Sequence, residues 1–345
     1  MAYLPARPDL DQLRRQAKDL LRAARDGDPD ALARIHAVSP RVILSSAQLA
    51  VARGYGFASW PRLRTEVERR DILNSRDLGR LAALLAREPD QATTRMEHWR
   101  DHRGGASPLA YVAMLRFDAR RLGLPGPLPG TGAMARALIE AGASVDGDPG
   151  EQETPLITAA SYGDAEVAAV LIAHGADLEA TAAADSGGVP GGTALGHAAV
   201  FGMTGVVDVL VAAGARPRGI EDAAAAGDIA GWLTPDTPEQ AKVRALTMAA
   251  DHQRLPVIDQ LLAAGTPIDG ADAEHGRQAL RLAAGNGRPA SVAHLLARGA
   301  DPNLRDPEHG GTALDWCYRG MYGRTEHPAH DEVAALLRPV TVTAP

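Results

Sequence analysis

Apolar positions recur along this chain at helical spacing, interrupted by polar breaks. Leu10, Leu13, Ala17, Leu20, Leu21 and Ala24 make one stripe, with Asp9 placed to cap it and Gly27 to end it. A second helix is expected over 31–37 and a third over 45–53, while a fourth opens at Ser59-Trp-Pro. There the Ser59 hydroxyl serves as cap, and Pro61 in the first turn costs no hydrogen bond. Arg76-Asp-Leu-Gly-Arg-Leu-Ala-Ala-Leu-Leu predicts the second helix of an incomplete pair. Further on, Val167, Val170 and Leu171 give an i, i+3, i+4 stripe. Ahead of it lies a helix capped by Thr154, begun by Pro155 and stopped at Gly163. Gly175 suits a left-handed C-cap that releases the chain into a loop.

These helix pairs are copies of one another. The signal Gly-Ala-Xaa occurs at Gly142, Gly175, Gly214 and Gly299, with Gly265-Thr-Pro a degenerate version. An apolar helix ending precedes each, as in Val170-Leu-Ile-Ala-His and His294-Leu-Leu-Ala-Arg. The steps from Gly142 to Gly175 and from Gly265 to Gly299 are 33 and 34 residues. A second signal opens the same units: Thr154-Pro-Leu-Ile-Thr-Ala-Ala, Thr193-Ala-Leu-Gly-His-Ala-Ala, Gln278-Ala-Leu-Arg-Leu-Ala-Ala, Thr312-Ala-Leu-Asp-Trp-Cys-Tyr and Ser107-Pro-Leu-Ala-Tyr-Val-Ala. Fixed-period self-similarity of this length is the mark of a stacked repeat architecture, in which one unit cannot bury its own apolar face.

With these segments the chain resembles the ankyrin-repeat family, whose motif runs Thr-Pro-Leu-His-x-Ala-Ala, Gly, Val-Val-x-Leu-Leu, Gly-Ala-Asp. The resemblance implies an all-α fold: an ankyrin-repeat solenoid of helix-turn-helix units over 104–338, preceded by a helical leader over 1–70. Residues 71–103 are expected to form an atypical capping half-repeat and linker, and 339–345 a tail. The leader segments Leu4-Pro-Ala-Arg-Pro-Asp-Leu, Ala47-Gln-Leu-Ala-Val-Ala-Arg-Gly-Tyr-Gly-Phe and Ser59-Trp-Pro resemble a helical leader found ahead of ankyrin repeats in bacterial proteins. Insertions are expected near 116–132, 181–191 and 318–330, either functional loops or tolerated surface excursions. Ile220-Glu-Asp-Ala-Ala-Ala-Ala-Gly-Asp marks a truncated or shifted unit.

In ankyrin proteins the partner is gripped by loop tips and by the exposed face of the first helices. Carried over by motif position, that face comprises Met114 and Leu115, Ser161 and Tyr162, Val200 and Phe201, Asp251 and His252, Gly285 and Asn286, and Arg319. Tyr162 and Phe201 would be neighbours in the stack, suited to a hot spot or else folded under the insertions as core. The tip residues Asp148, Glu151, Asp185, Asp272, Glu274, Arg305, Asp306 and Glu308 read as a soluble rim.

Composition sharpens this picture. Aromatics are 4% of the 345 residues against 45% hydrophobic, so Ala, Leu and Val must fill the interior. A net charge of −7 argues against a nucleic-acid partner. Lys18 and Lys242 are the only lysines, which reads as high-GC codon bias. No apolar run reaches the ~20 residues of a membrane span, and no secretory h-region opens the chain, so a cytosolic protein is expected. Cys317 alone makes neither an internal disulfide nor a thiolate metal cage.

Candidates for chemistry are few. His98 and His102 stand at i, i+4, as a zinc pair would, but lack the surrounding His-Glu-x-x-His. His327 and His330, followed by Asp331 and Glu332, could be a metal or acid–base cluster or simply a charged helix start. Cys317 replaces a motif Ala and reads as a small buried hydrophobe. Nucleophile elbow, phosphate loop and dinucleotide fingerprint are all lacking, so no catalytic residue, metal or cofactor is expected. The sequence therefore points to a non-catalytic module that binds an unidentified protein through its concave face. A small-molecule binder, and after it an enzyme with a groove site built on the insertions, are the alternatives.

Overall fold

The computed structural model describes residues 4–342 apart from 6, 97–104, 125–127 and 322–327. Every regular element among them is a helix; the only β pairing is in isolated antiparallel bridges at Met96–Ala106, Thr181–Thr193 and Ala271–Gln278. The chain divides into two compact units, the first Met1–Ala159 with Glu166–Ala176, the second Ala160–Ala165 with Asp177–Pro345.

The first unit opens with α1 (Leu10–Arg25), α2 (Pro29–His36), α3 (Leu44–Gly54) and α4 (Trp60–Ser75). Two caps are those expected, the Asp9 carboxylate accepting from the Gln12 N–H and the Ser59 hydroxyl from Arg62, and the structure adds Asp28, which accepts from Ala31. Leu13, Ala17, Leu20, Ile35, Val51, Phe57 and Leu63 meet in a core of their own. The buried face of α4 also carries charge. Glu66, Arg69 and Arg70 are all buried, the Glu66 carboxylate accepting from Arg69 Nη2 at 2.6 Å and from Arg70 Nε at 2.8 Å. Arg69 further donates to the carbonyls of Gln91, Thr94 and Arg95. That ties α4 to the segment after α5 (Leu78–Arg87), in which Pro89–Ala92 form a short 3-10 turn. Next come α6 (Pro108–Asp118) and α7 (Thr131–Glu140), packed on each other, with α7 also on α5. The unit ends with parts of α8 (Pro155–Tyr162) and α9 (Ala165–Ala173), helices the division cuts.

The second unit stacks α10 (Ala194–Val200), α12 (Ile220–Ala226), α13 (Glu239–Asp251), α15 (Ala279–Gly285) and α17 (Ala313–Met321) as one layer, each against the next. Their partners are α11 (Thr204–Ala212), α14 (Leu255–Ala263), α16 (Pro289–Ala297) and α18 (Pro328–Leu337). In this second layer α14 packs on α16 and α16 on α18. The truncated unit supplies only α12; a loop carrying the buried Ile229 follows it where a second helix would stand. Ala223, Ala224, Ala225, Ala249, Ala250, Ala283 and Ala284 are all buried, the small side chains that let neighbouring first helices approach.

The insertions are partly absorbed into structure. Helix α6 runs through Arg116 to Asp118, and Leu122 and Leu128 are buried, so the first insertion contributes to the core on either side of 125–127. Helix α17 likewise extends to Met321, while 322–327 lie outside the described residues.

Candidate functional site

The expected partner face divides sharply by burial. Phe201 and Val200 are each 41% exposed. Asn286 and Arg319 are exposed, and Tyr162 and Gly285 half-buried. The other five positions need correction. Met114 and Leu115 are buried, Leu115 to 1% exposure. No glycine stops α6 at that register, as Gly163, Gly202 and Gly287 stop the later first helices, so both residues remain helical and pack inward. Ser161 is buried, its hydroxyl 2.8 Å from His197 Nδ1. Asp251 is buried and accepts from Asn286 Nδ2 at 2.9 Å and Arg288 Nε at 3.0 Å. His252 is buried too, with Nε2 2.9 Å from the Ala199 carbonyl and Nδ1 3.1 Å from the Thr204 hydroxyl. Polar residues at this register fasten one repeat to the next and are spent in doing so.

Of the histidine candidates only His330 lies among the described residues. His330 is buried and reaches the Gly285 carbonyl with Nε2 at 3.0 Å. Cys317 is buried, its thiol pushed up to about 11 by burial, and it donates to the His330 carbonyl. His98, His102 and His327 lie outside the described residues.

What the second unit does assemble is a cleft of about 700 Å3 between two consecutive loop tips and the helices that follow them. The tips are near-copies, Asp272-Ala-Glu-His-Gly-Arg and Asp306-Pro-Glu-His-Gly-Gly, and each closes on its aspartate. The Asp272 carboxylate accepts from the N–H groups of Glu274, His275 and Arg277. That of Asp306 accepts from Glu308, His309 and Gly311, and from Trp316 Nε1 at 3.0 Å. Burial alone would raise Asp306, but the donors of His309, Gly311, Trp316 and Glu308 outweigh it and hold the carboxyl well below its usual range. Gly276 and Gly310, at φ +62° and +65°, make the left-handed turn each tip needs. These two aspartates are inner frames of the tips, not the soluble rim expected of them.

Helix α17 begins with a capping box: the Thr312 N–H donates to Asp315 at 2.8 Å, and the Asp315 N–H donates to the Thr312 hydroxyl. This start aims Trp316 at the tip. Its ring meets His309 edge-on at 5.8 Å between centroids, and the Arg319 guanidinium lies 5.1 Å over it. Arg281, from the first turn of α15, is only 7% exposed and forms part of the cleft lining, as does Arg277. Its Nη2 donates to the Gly276 carbonyl at 2.9 Å. Burial pulls its guanidinium below the usual value, with Asp306 opposing. Of this group, only Arg319 was expected at a binding face. The signal for the others was the Asp-x-Glu-His-Gly duplication at a 34-residue step, with Arg281 at the motif's histidine position.

Among the described residues no three His, Cys, Asp or Glu side chains converge as a metal site, and no helix is long and apolar enough to cross a membrane.

Comparison with known families agrees with the helix pairing. The family model for ankyrin repeats in three copies matches residues 130–219, and that for a single ankyrin repeat matches 275–307. Over those residues the chain carries ankyrin repeats, a class of repeat that generally mediates protein–protein interaction. Among solved structures, the human ASB11 ankyrin repeat domain aligns at 19% identity and a TM-score of 0.36, covering 80% of this chain and 97% of that one. No curated protein matches the chain.

Proposed function

We propose that this protein is a non-catalytic binding module of the cytoplasm that takes a protein partner on the first-helix side of its second unit. The reading rests on the cleft formed by the two tips with Trp316 and Arg319. Trp and Arg are the residues most enriched at energetic centres of protein interfaces. The cleft brings a tryptophan face, a stacked guanidinium and two imidazoles to one place in a chain that rations aromatics. Val200 and Phe201 occupy the equivalent register on α10 and extend the face with apolar surface; the free, buried Cys317 suits a reducing compartment. The cleft's volume also lies within the range of small-ligand sites, which makes a bound metabolite the competing outcome.

A photo-crosslinking amino acid placed at Arg319, at Phe201, and at the exposed Val211 of α11 tests the reading in the organism's own extract. A discrete protein adduct is expected from the first two positions and not from the third. Adducts of equal yield at all three, or none from Arg319 and Phe201, would refute it.

A further inference from the structure

Arginines in the second unit are, for the most part, mated to acids. Arg244 pairs with Glu221, Arg254 with Asp208, Arg288 with Asp251 and Arg298 with Asp259. The cleft departs from this. Arg277, Arg281 and Arg319 all line it, and among the described residues none of the three has a carboxylate within ion-pair distance. Arg281 is the pointed case, because the residue is largely buried while its guanidinium makes a single hydrogen bond within the protein, to a neutral carbonyl. A largely buried cation with no counter-ion bonded to it is costly, and a ligand carboxylate would supply the missing partner. Asp306 favours the charge from beyond ion-pair distance but has no oxygen left to bond it. Each Asp306 oxygen already accepts two hydrogen bonds, from Glu308 and His309 on one side and from Gly311 and Trp316 on the other.

Resting on the protein-binding reading above, we propose that this cleft is a carboxylate-recognition site, in which Arg281 receives a carboxylate presented by the partner polypeptide. The planar fork of a guanidinium matches the two oxygens of a carboxylate, and Arg277 and Arg319 add charge at either side. Trp316 gives an apolar wall against which the group's carbon skeleton rests. Phosphate fits less well: Glu274 and Glu308 stand on the tips that bound the cleft, and their repulsion weighs more on a dianion than on a monoanion. The carboxylate comes from an acidic side chain or from a chain end, and the chemistry is the same for both.

The test uses the full chain and reads the Trp316 indole N–H by NMR, its signal assigned by loss in Trp316→Phe. Sodium benzoate should shift that signal saturably, while benzamide, the neutral isostere, and inorganic phosphate should not. Arg281→Gln should weaken benzoate binding by at least ~10-fold, and Arg319→Gln, at an exposed residue, by several-fold with no change in melting temperature. Arg281→Met should raise the melting temperature while abolishing binding, since a side chain kept for a ligand is surplus to the fold. A five-residue peptide with one central Glu and blocked ends, set against a glycine peptide with a free C-terminus, decides which carboxylate is taken. Equal shifts with benzamide or phosphate, undiminished binding in Arg281→Gln, or a lower melting temperature in Arg281→Met would each overturn the proposal. Benzoate binding without protein adducts at Arg319 and Phe201 would leave the carboxylate site standing and remove the protein partner. Adducts without any benzoate response would do the opposite.

Discussion

The imidazole of His252 has both nitrogens in contact, Nε2 with the Ala199 carbonyl, to which it must donate, and Nδ1 with the Thr204 hydroxyl. The neutral ring satisfies both, with the Thr204 hydroxyl donating to Nδ1. Burial lowers its proton affinity from 6.5, helped by Arg288 and Arg254 and opposed by the Ala199 bond and Asp251. Stability attached to this group is therefore complete above pH 6.5. It drains away as pH falls, because the unfolded chain takes up a proton that the folded one refuses, until the lowered native value is reached. Thermal melts from pH 7.5 downward should show a decline setting in near 6.5, and His252→Gln should make that decline shallower. Equal slopes in both proteins would mean that His252 is not a proton-linked brace. The motif position of this residue was legible in the sequence, but its burial was not. Residues after the Ala-Ala pair are variable across ankyrin proteins, and only the neighbouring repeat decides whether one meets solvent or a carbonyl.

At the scale of elements, glycine shows what a one-dimensional pattern reveals and what it hides. Gly175 ends α9 at φ +84° with nothing within 4 Å of a side chain placed there. The sequence marks it plainly, because a C-cap glycine follows from the helix pattern alone. Gly175→Val should cost on the order of 1–2 kcal/mol, the backbone strain of a left-handed residue, with little steric penalty. Gly320 carries no such mark. It sits inside α17, where a Cβ would collide with the Gly285 carbonyl oxygen and come 2.5 Å from His330 Nε2. The close approach of α15 and α17, and the His330–Gly285 hydrogen bond between them, depend on that bare backbone. Gly320→Ala should cost about 1–3 kcal/mol from overpacking, with about 1 kcal/mol more if the bond is lost. Urea melts of the two variants should rank Gly320→Ala as the more damaging; the reverse order would show that α17 shifts freely against α15. The repeat pairing and the caps were readable because they are local. The buried Glu66–Arg69–Arg70 cluster and the cleft were not, since both depend on side chains brought together from separate elements.

At the scale of the whole molecule, apolar residues gather in more than one place. Leu13, Ala17, Ile35 and Phe57 belong to a cluster of the leader, while Leu246, Ile258, Leu280, Leu295 and Leu314 belong to a continuous one that runs from α10 to α18. In a stacked array each repeat is stabilised by its neighbours, so damage to a central repeat spreads to those beside it. Leu280, on α15, is fully buried, with α13 on one side and α17 on the other. Leu280→Ala should cost about 2–5 kcal/mol, the usual range for a leucine cavity in a core that relaxes incompletely. That loss has to be felt along the stack. Hydrogen exchange followed by mass spectrometry on the full chain should show faster exchange in α13, α15, α16 and α17, falling off toward α10. The amides of α1, α2 and α3 should exchange as in the parent, because no residue of their core belongs to the cluster that Leu280 joins. A uniform rise across both regions would mean one cooperative unit spanning the chain. A rise confined to α15 would mean that the repeats are stabilised singly and not by stacking.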